Sequence, residues 1–251
     1  MAEIVHLLNA PITEALIDFR VKGVTGESLQ KSIDKLKERL KDRYPQVKAS
    51  LGFHAQFQFT GGELPEATRK DTEFEGYFFI SQDGQKIVQF RTNGFTFNKI
   101  KPYTSWEKIY PEALELWKLY MEVANPQSVV RIALRYINHI KIPLPILDFA
   151  EYLTAPPNLP KLDQHLYGIN GFTTRLILNE TNSDVNIAIT QTVEPSVETQ
   201  FAIIILDIDA SKIKEFTQQE IEPTLITLRN MKNNIFFNSI TDKTLRILNA
   251  S

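Results

Sequence analysis

The chain has 251 residues, of which 43% are hydrophobic and 23% are charged, and its net charge at pH 7 is -2. This composition is typical of a folded globular protein and excludes extensive disorder, and the charge lacks the basic excess that favours nucleic-acid backbones. Because the chain contains no cysteine, disulfides, thiolate nucleophiles and cysteine-ligated metals are excluded.

The N-terminal segment, residues 1–15, has neither the basic start nor the long apolar core of a signal peptide. The longest apolar run, FAIIIL at 201–206, is much shorter than the ~20 residues that a membrane-spanning helix needs. We therefore expect a soluble, cytoplasmic protein that makes no contact with a membrane.

The first half of the chain reads as a strand, a helix, several strands and a second helix. Leu29, Ile33, Leu36 and Leu40, at spacings of four and three, indicate the first helix. The pairs Asp83-Gly84 and Asn93-Gly94 are typical of tight turns between antiparallel strands. The predicted elements are a strand over 10–21, a helix over 28–43, a strand over 51–59, a meander of strands over 74–100 and a helix over 104–124.

The central run, VVRIALRYINHIKIP at 129–143, is the longest strand-like stretch, and its residues alternate between two sets. Side chains on a strand point to opposite faces at successive positions, so one set is expected to meet the core and the other to be exposed. The predicted core set is Val130, Ile132, Leu134, Tyr136, Asn138 and Ile140; the other set carries the cations Arg131, Arg135, His139 and Lys141.

The second half repeats the order of elements. We predict a short helix over 146–153, strands over 167–179, 184–193 and 199–209, helical segments over 212–232 and a last helix that begins at Thr241. The whole chain is thus predicted to be an α+β protein with mainly antiparallel sheet and helices on one face. Two similar β-α-β-β-β-α halves, 1–125 and 126–251, meet at Asn125-Pro126; whether they arose by internal duplication, and whether they pack as one globular unit, stays open.

The sequence contains few candidate catalytic or metal-binding motifs. The chain has no Gly-rich phosphate-binding motif and no GxSxG nucleophile elbow, and none of its four histidines has another three or four positions away. Asp207 and Asp209 share one side of a strand, which suits a divalent cation. The favoured interpretation is that Asp207 pairs with an arginine on a neighbouring strand, while Asp209 or Ser211 caps the following helix.

Arginines on the predicted strands outnumber the nearby acids. A buried, unpaired guanidinium is very costly, so each arginine must be solvated, paired or in contact with a ligand. The ordinary alternative is a wet sheet face on which acids of neighbouring strands pair with the cations. The arginines are Arg20, Arg91, Arg131, Arg135 and Arg175, and the obvious acidic partners are Asp18, Glu75 and Asp207.

Several stretches resemble an uncharacterised bacterial protein family noted for its sporadic distribution. They are LLNAPITEALIDFRV at 7–21, VVRIALRYINHIKIP at 129–143, LDIDA at 206–210 and NNIFFNSITDK at 233–243. The combination of Ala-Pro-Ile-x-Glu-Ala with Leu-Arg-Tyr-Ile-Asn is the most specific part. The resemblance covers nearly the whole chain and implies a single full-length unit, but no assigned function, cofactor or catalytic residue.

The arginine surplus and the lack of a catalytic motif favour a non-catalytic binding module over an enzyme. We expect an Arg-rich exposed sheet face to engage an anionic partner, which is a nucleic acid, a nucleotide or an acidic protein. The alternatives are a cysteine-free, hydrolase-like enzyme with an Asp/Glu/His site and a structural homo-oligomer. No catalytic residue, metal or cofactor is predicted, and the oligomeric state stays open. The candidate contacts to the partner are Arg20, His54, Arg131, Arg135 and His139.

Overall fold

The computed structural model describes residues 7–52, 55–58, 66–69, 73–158, 171–194 and 200–250. The helices in these ranges are α1 (Gly26–Leu40), α2 (Trp106–Ala124), α3 (Gln218–Ser239), α4 (Asp242–Asn249) and a 3-10 turn at Phe149–Glu151. The strands are β1 (Ile12–Lys22), β2 (Gln46–Gly52), β3 (Ala55–Gln58), β4 (Glu66–Arg69), β5 (Glu73–Ile80), β6 (Lys86–Arg91), β7 (Gly94–Ile100), β8 (Ser128–Pro143), β9 (Phe172–Glu180), β10 (Val185–Glu194) and β11 (Phe201–Phe216).

Nine strands form one antiparallel sheet in the order β2-β5-β6-β7-β1-β8-β11-β10-β9, and β3 pairs with β4 separately. The prediction of an α+β fold with mainly antiparallel sheet is confirmed. In the first half the opening strand β1 neighbours the last strand β7, and in the second half β8 neighbours the last strand β11. In both halves the first strand thus lies beside the last strand, which is compatible with an internal duplication. The duplication itself stays a prediction.

The chain divides into two compact units, each assembled from separate stretches of sequence. The predicted halves 1–125 and 126–251 both contribute to each unit, so a division of the chain between Asn125 and Pro126 stays a prediction. The first unit contains Met1–Asp18, Asn98–Ser105 and Arg131–Ser251; the second contains Phe19–Phe97 and Trp106–Val130.

The core of the second unit is aromatic. The ring of Phe19 on β1 stacks on Trp117 of α2 with 4.1 Å between ring centres, and Phe95 on β7 lies edge-on to Trp117 at 5.8 Å. Tyr120 of α2 stacks against Trp117 in turn, and its hydroxyl donates a hydrogen bond of 2.8 Å to the carbonyl of Arg91. These contacts place α2 against the strands of its own unit.

The core of the first unit lies between β8, β11 and α3. The predicted core residues from Ile132 to Ile140 are buried as expected, whereas Val130 is only half-buried. Val129 and Ala133, which alternation places on the other face, are also buried, so that part of the prediction is wrong. Leu225 and Leu228 of α3 are fully buried. The buried strand residues are Ile132, Leu134, Tyr136, Asn138 and Ile140 on β8, and Ala202, Ile204, Leu206, Ile208 and Ala210 on β11.

Two predicted boundaries are wrong. β11 continues to Phe216, well beyond the predicted end at 209, and the following helix begins at Gln218. Thr217 and Glu220 form a capping box there, in which the Glu220 carboxylate accepts the Thr217 backbone N–H at 2.9 Å. The predicted strand over 51–59 is also different, because β2 ends at Gly52 and Leu51, expected in the core, is half-exposed.

Within the part of the chain that the structure describes, no helix is long and apolar enough to cross a membrane.

Candidate anion-binding cleft and the arginine–aspartate cluster

Arg131 on β8 lies between two carboxylates of neighbouring strands. Its Nη1 donates to Asp18 Oδ2 on β1 at 3.0 Å, and its Nη2 donates to Asp209 Oδ2 on β11 at 3.1 Å. All three side chains are substantially buried, with a quarter of the Arg131 side chain exposed. Burial raises the pKa of Asp209, and the charges of Arg131 and Arg135 oppose that increase. One guanidinium thus serves two carboxylates that would otherwise repel each other.

Arg135 lies two strand pleats further along β8 and pairs with Asp207. Its Nε donates to Asp207 Oδ1 at 2.9 Å and its Nη2 donates to Asp207 Oδ2 at 2.6 Å. The hydrogen bond to Asp207 raises the pKa of Arg135. The predicted pairing of Asp207 with a strand arginine is therefore confirmed, in a bidentate geometry in which one guanidinium edge, Nε and Nη2, faces the carboxylate.

The predicted surplus of cations is wrong at these two positions. Asp18, Asp207 and Asp209 supply three carboxylates for the two guanidinium groups of Arg131 and Arg135. The discrepancy has a local cause, since Asp209 was expected to cap a helix but lies within the extended β11. It therefore shares the face of Asp207 and neutralises Arg131. The name Arg–Asp cluster is used below for these five residues.

Two of the other predicted contacts do not join this cluster. Arg20 lies in the other compact unit, where its Nη1 donates to the Asn93 side chain at 3.0 Å. His54 lies outside the described residues. The structure thus brings together Arg131, Arg135 and His139 on the exposed side of a single strand, β8.

His139 lies in a cleft rather than in the Arg–Asp cluster. The cleft has a volume of about 530 Å³ and lies in the first unit, where the start of β1, the segment after β7 and the end of β8 meet. Two backbone hydrogen bonds build it: His139 donates to the Pro11 carbonyl at 2.8 Å, and Lys101 donates to the Thr13 carbonyl at 2.8 Å. The ends of three strand segments are thereby held around one opening.

Two lysines, Lys101 and Lys141, and one histidine, His139, line this cleft. The Nζ of Lys141 also lies 4.3 Å from the centre of the Phe201 ring, which is a cation–π distance. None of the fourteen lining residues, all of which belong to the described part of the chain, is an aspartate or a glutamate. The name cationic cleft is used below for the space lined by these three residues.

Sequence reasoning found only part of the cationic cleft. His139 was a candidate contact and Lys141 was placed in the same cationic row, but Lys101 was missed. Lys101 directly follows β7, and the sequence does not show that β7 and β8 both neighbour β1. Knowledge of that strand order would have placed Lys101 near His139.

A buried lysine of α3 was missed as well. The Nζ of Lys232 lies 3.6 Å from the centre of the Tyr136 ring, and Tyr136 Oη is 3.3 Å from Tyr103 Oη, which lines the cationic cleft. Burial lowers the pKa of Lys232 to about 7, and the positive charge of Arg229 acts in the same direction. The amine therefore changes its charge near neutral pH without leaving the interior.

Metal binding has no geometric support in the ranges described. No group of three or more His, Asp or Glu residues there is arranged to hold a metal ion. In particular, Asp207 and Asp209 are engaged by arginines.

No protein-family model matches the chain, and a search of curated proteins gives no significant match. The resemblance to the sporadically distributed bacterial family therefore stays a prediction, and function has to be argued from the geometry.

Proposed function

We propose that this protein is a non-catalytic binding module and that its cationic cleft engages a phosphate-bearing ligand of nucleotide size. The observation that carries the proposal is the set of two lysines and one histidine around a cleft whose described lining contains no acid. An anion that enters this space meets favourable charge from Lys101 and Lys141, an N–H donor from His139 and, among the described lining residues, no carboxylate to repel it.

The size and chemistry of the cleft support a compact ligand. A volume of about 530 Å³ lies within the range that small-molecule sites occupy. Lysine binds phosphate as a compact point charge, and imidazolium adds directed N–H donors. Side chains of this kind at the ends of β7 and β8 suit a terminal phosphate or pyrophosphate better than a long polymer.

The Arg–Asp cluster is a weaker candidate for the same role. A ligand anion at Arg135 has to compete with Asp207, which already occupies the Nε–Nη2 edge of the guanidinium at 2.9 and 2.6 Å. At Arg131 it meets two carboxylates. We therefore assign this cluster a structural role and move the proposed contact from Arg131 and Arg135 to the cationic cleft.

Isothermal titration with three probes tests the proposal. Inorganic pyrophosphate and ATP, both in metal-free buffer, are expected to bind with an affinity that falls as salt is raised, because salt screens exposed charges. Adenosine, which lacks phosphate, is expected not to bind. Lys141→Gln should weaken binding of pyrophosphate by about tenfold, the equivalent of one lost charge contact of about 1.4 kcal/mol.

The control variant is Lys118→Gln, which removes an exposed lysine of α2 outside the cleft. It is expected to leave the affinity unchanged. Lack of pyrophosphate binding at low salt, or equal affinity in wild type and Lys141→Gln, overturns the proposal. Release of phosphate from ATP during the titration means that the protein hydrolyses ATP. That result contradicts a non-catalytic binding module and supports the enzyme alternative.

A further inference from the structure

The strand β9 (Phe172–Glu180) lies at one end of the nine-stranded sheet. Its residues from Phe172 to Glu180 pair without interruption with β10, from Val193 to Val185. On its other side, no strand in the described ranges continues the sheet. An edge strand of this kind presents a row of backbone N–H and C=O groups that can pair with another chain.

Three consecutive apolar residues are exposed on this edge. Leu176, Ile177 and Leu178 have exposed fractions of 50%, 72% and 44%. Successive side chains point to opposite faces of a strand, so the edge is apolar on both sides. Contiguous exposed apolar surface on an edge strand marks a site of association.

The opposite edge of the sheet is protected in the usual ways. The pairing of β2 with β5 has a register shift at Ser50/Leu51, which disrupts regular pairing, and β2 carries Lys48. Bulges and lysines are devices that prevent edge strands from pairing with other chains. β9 has neither a bulge nor a lysine nor a proline, and its only cation is Arg175. Of the two edge strands of the nine-stranded sheet, β9 is thus the one that lacks these protective features.

We propose that β9 pairs with β9 of a second copy of this chain, antiparallel and about a two-fold axis at Ile177. Antiparallel strands place a residue of one copy opposite a residue of the other on the same face. With the axis at Ile177, Ile177 faces Ile177 and Leu176 faces Leu178. The polar positions match too, because Arg175 faces Asn179 and Thr174 faces Glu180.

Shifting the register by two residues in either direction destroys this match. With the axis at Leu176, Arg175 faces Ile177; with the axis at Leu178, Leu176 faces Glu180. Each shift sets a charged group against an apolar side chain, which is unfavourable when the pair is removed from water. Registers shifted by one residue are not available, since a two-fold axis pairs residues of the same orientation on the two strands. The side-chain pattern thus selects one arrangement of two identical copies.

Sedimentation velocity over a micromolar to submillimolar range measures the association. The wild-type chain is expected to show a concentration-dependent dimer. Ile177→Lys places two like charges face to face on the axis and should raise the dissociation constant by at least about tenfold. The matched control is Ile226→Lys, which changes another exposed isoleucine, on α3, and should leave dimerisation unchanged.

Because the natural chain has no cysteine, single introduced thiols report the register directly. Ile177→Cys should form a covalent dimer under mild oxidation, since directly opposite residues have the separation that a disulfide spans. Arg175→Cys, whose copies lie far apart in this register, should not. A chain that stays monomeric over the whole range, a dimer unaffected by Ile177→Lys, or cross-linking through Arg175→Cys but not through Ile177→Cys contradicts the inference.

Discussion

The guanidinium of Arg135 faces the carboxylate of Asp207 along its edge, with Nε 2.9 Å from Oδ1 and Nη2 2.6 Å from Oδ2. This pair lies beside a second site, in which Arg131 contacts both Asp18 and Asp209. The same strand that carries the arginines also carries His139 and Lys141, which line a cleft without acidic neighbours in its lining. One strand therefore carries two arginines paired with aspartates and, further along, two residues that line a cleft.

The two arginines should differ in their contribution to stability. Arg131→Met removes the guanidinium that Asp18 and Asp209 share and leaves the two carboxylates largely buried and close together. We expect it to lower the free energy of unfolding by about 2–3 kcal/mol, toward the range for broken buried pairs. Arg135→Met should cost about 1 kcal/mol or less, because nearly half of the Arg135 side chain is exposed and solvent screens the pair.

Urea denaturation followed by circular dichroism measures both effects. Arg175→Met on β9 is the control, since it removes an exposed strand arginine outside the Arg–Asp cluster, and its effect should stay within about 0.5 kcal/mol. Equal losses for Arg131→Met and Arg135→Met contradict the proposed difference in burial.

The cost of Arg131→Met should also depend on pH. Burial already raises the pKa of Asp209, and removal of Arg131 takes away the largest opposing charge. In Arg131→Met the folded state then holds a proton on Asp209 at higher pH than the unfolded chain does. Stability is therefore relatively preserved at acidic pH and lost as the pH rises through the folded-state pKa.

We accordingly expect the difference between wild type and Arg131→Met to shrink from neutral pH toward pH 4. Unfolding curves at several pH values, with Arg131→Met/Asp209→Asn as the control, measure this. The double variant cannot ionise at position 209 and should lose the part of the pH dependence that Asp209 supplies. A cost of Arg131→Met that is constant with pH argues against Asp209 as the group left uncompensated.

Lys232 should destabilise the fold increasingly as the pH falls from about 10.5 to about 7. Its pKa is lowered to about 7 by burial, whereas an unfolded lysine titrates near 10.5. Between these values the unfolded state binds more protons, so stability rises with pH from about 7 to about 10.5 and falls as the pH drops toward 7. Lys232→Met removes the buried amine and should increase stability at neutral pH by a few kcal/mol.

The test for Lys232 is the pH dependence of the melting temperature. The gain from Lys232→Met over wild type should be large at pH 7 and should decline toward pH 10. Lys118→Met, at an exposed position of α2, provides the control and should show no such trend. A loss of stability in Lys232→Met at every pH means that the amine makes favourable contacts that outweigh its desolvation.

The sequence predicts the regular parts of this fold well. Alternation identifies β8 because one of its faces is mostly buried, and the spacing of Leu29, Ile33, Leu36 and Leu40 identifies α1 because its apolar stripe is narrow. Thr241 is correctly predicted to cap the last helix, since a threonine hydroxyl accepts a backbone N–H, here from Thr244.

The candidate site is harder to predict from the sequence than the regular parts of the fold, for physical reasons. The role of Asp209 depends on where β11 ends, and the residues that follow it, Ser211 and Lys212, suit a turn as well as a strand. The cationic cleft depends on strand order, which brings Lys101 close to His139 across a long separation in the chain. The local sequence pattern carries no information about where β11 ends or about the order of the strands. His54, which was also predicted, lies outside the residues that the structure describes.

The most direct test of the account compares two variants of β8 by their affinity for inorganic pyrophosphate. His139→Gln changes the cationic cleft, whereas the double variant Arg135→Gln/Asp207→Asn removes the bidentate pair and keeps the local net charge. We predict that His139→Gln weakens binding several-fold at pH 6 and that the double variant binds like the wild type. Weakened binding in the double variant with full affinity in His139→Gln contradicts the account and returns the contact to the arginines.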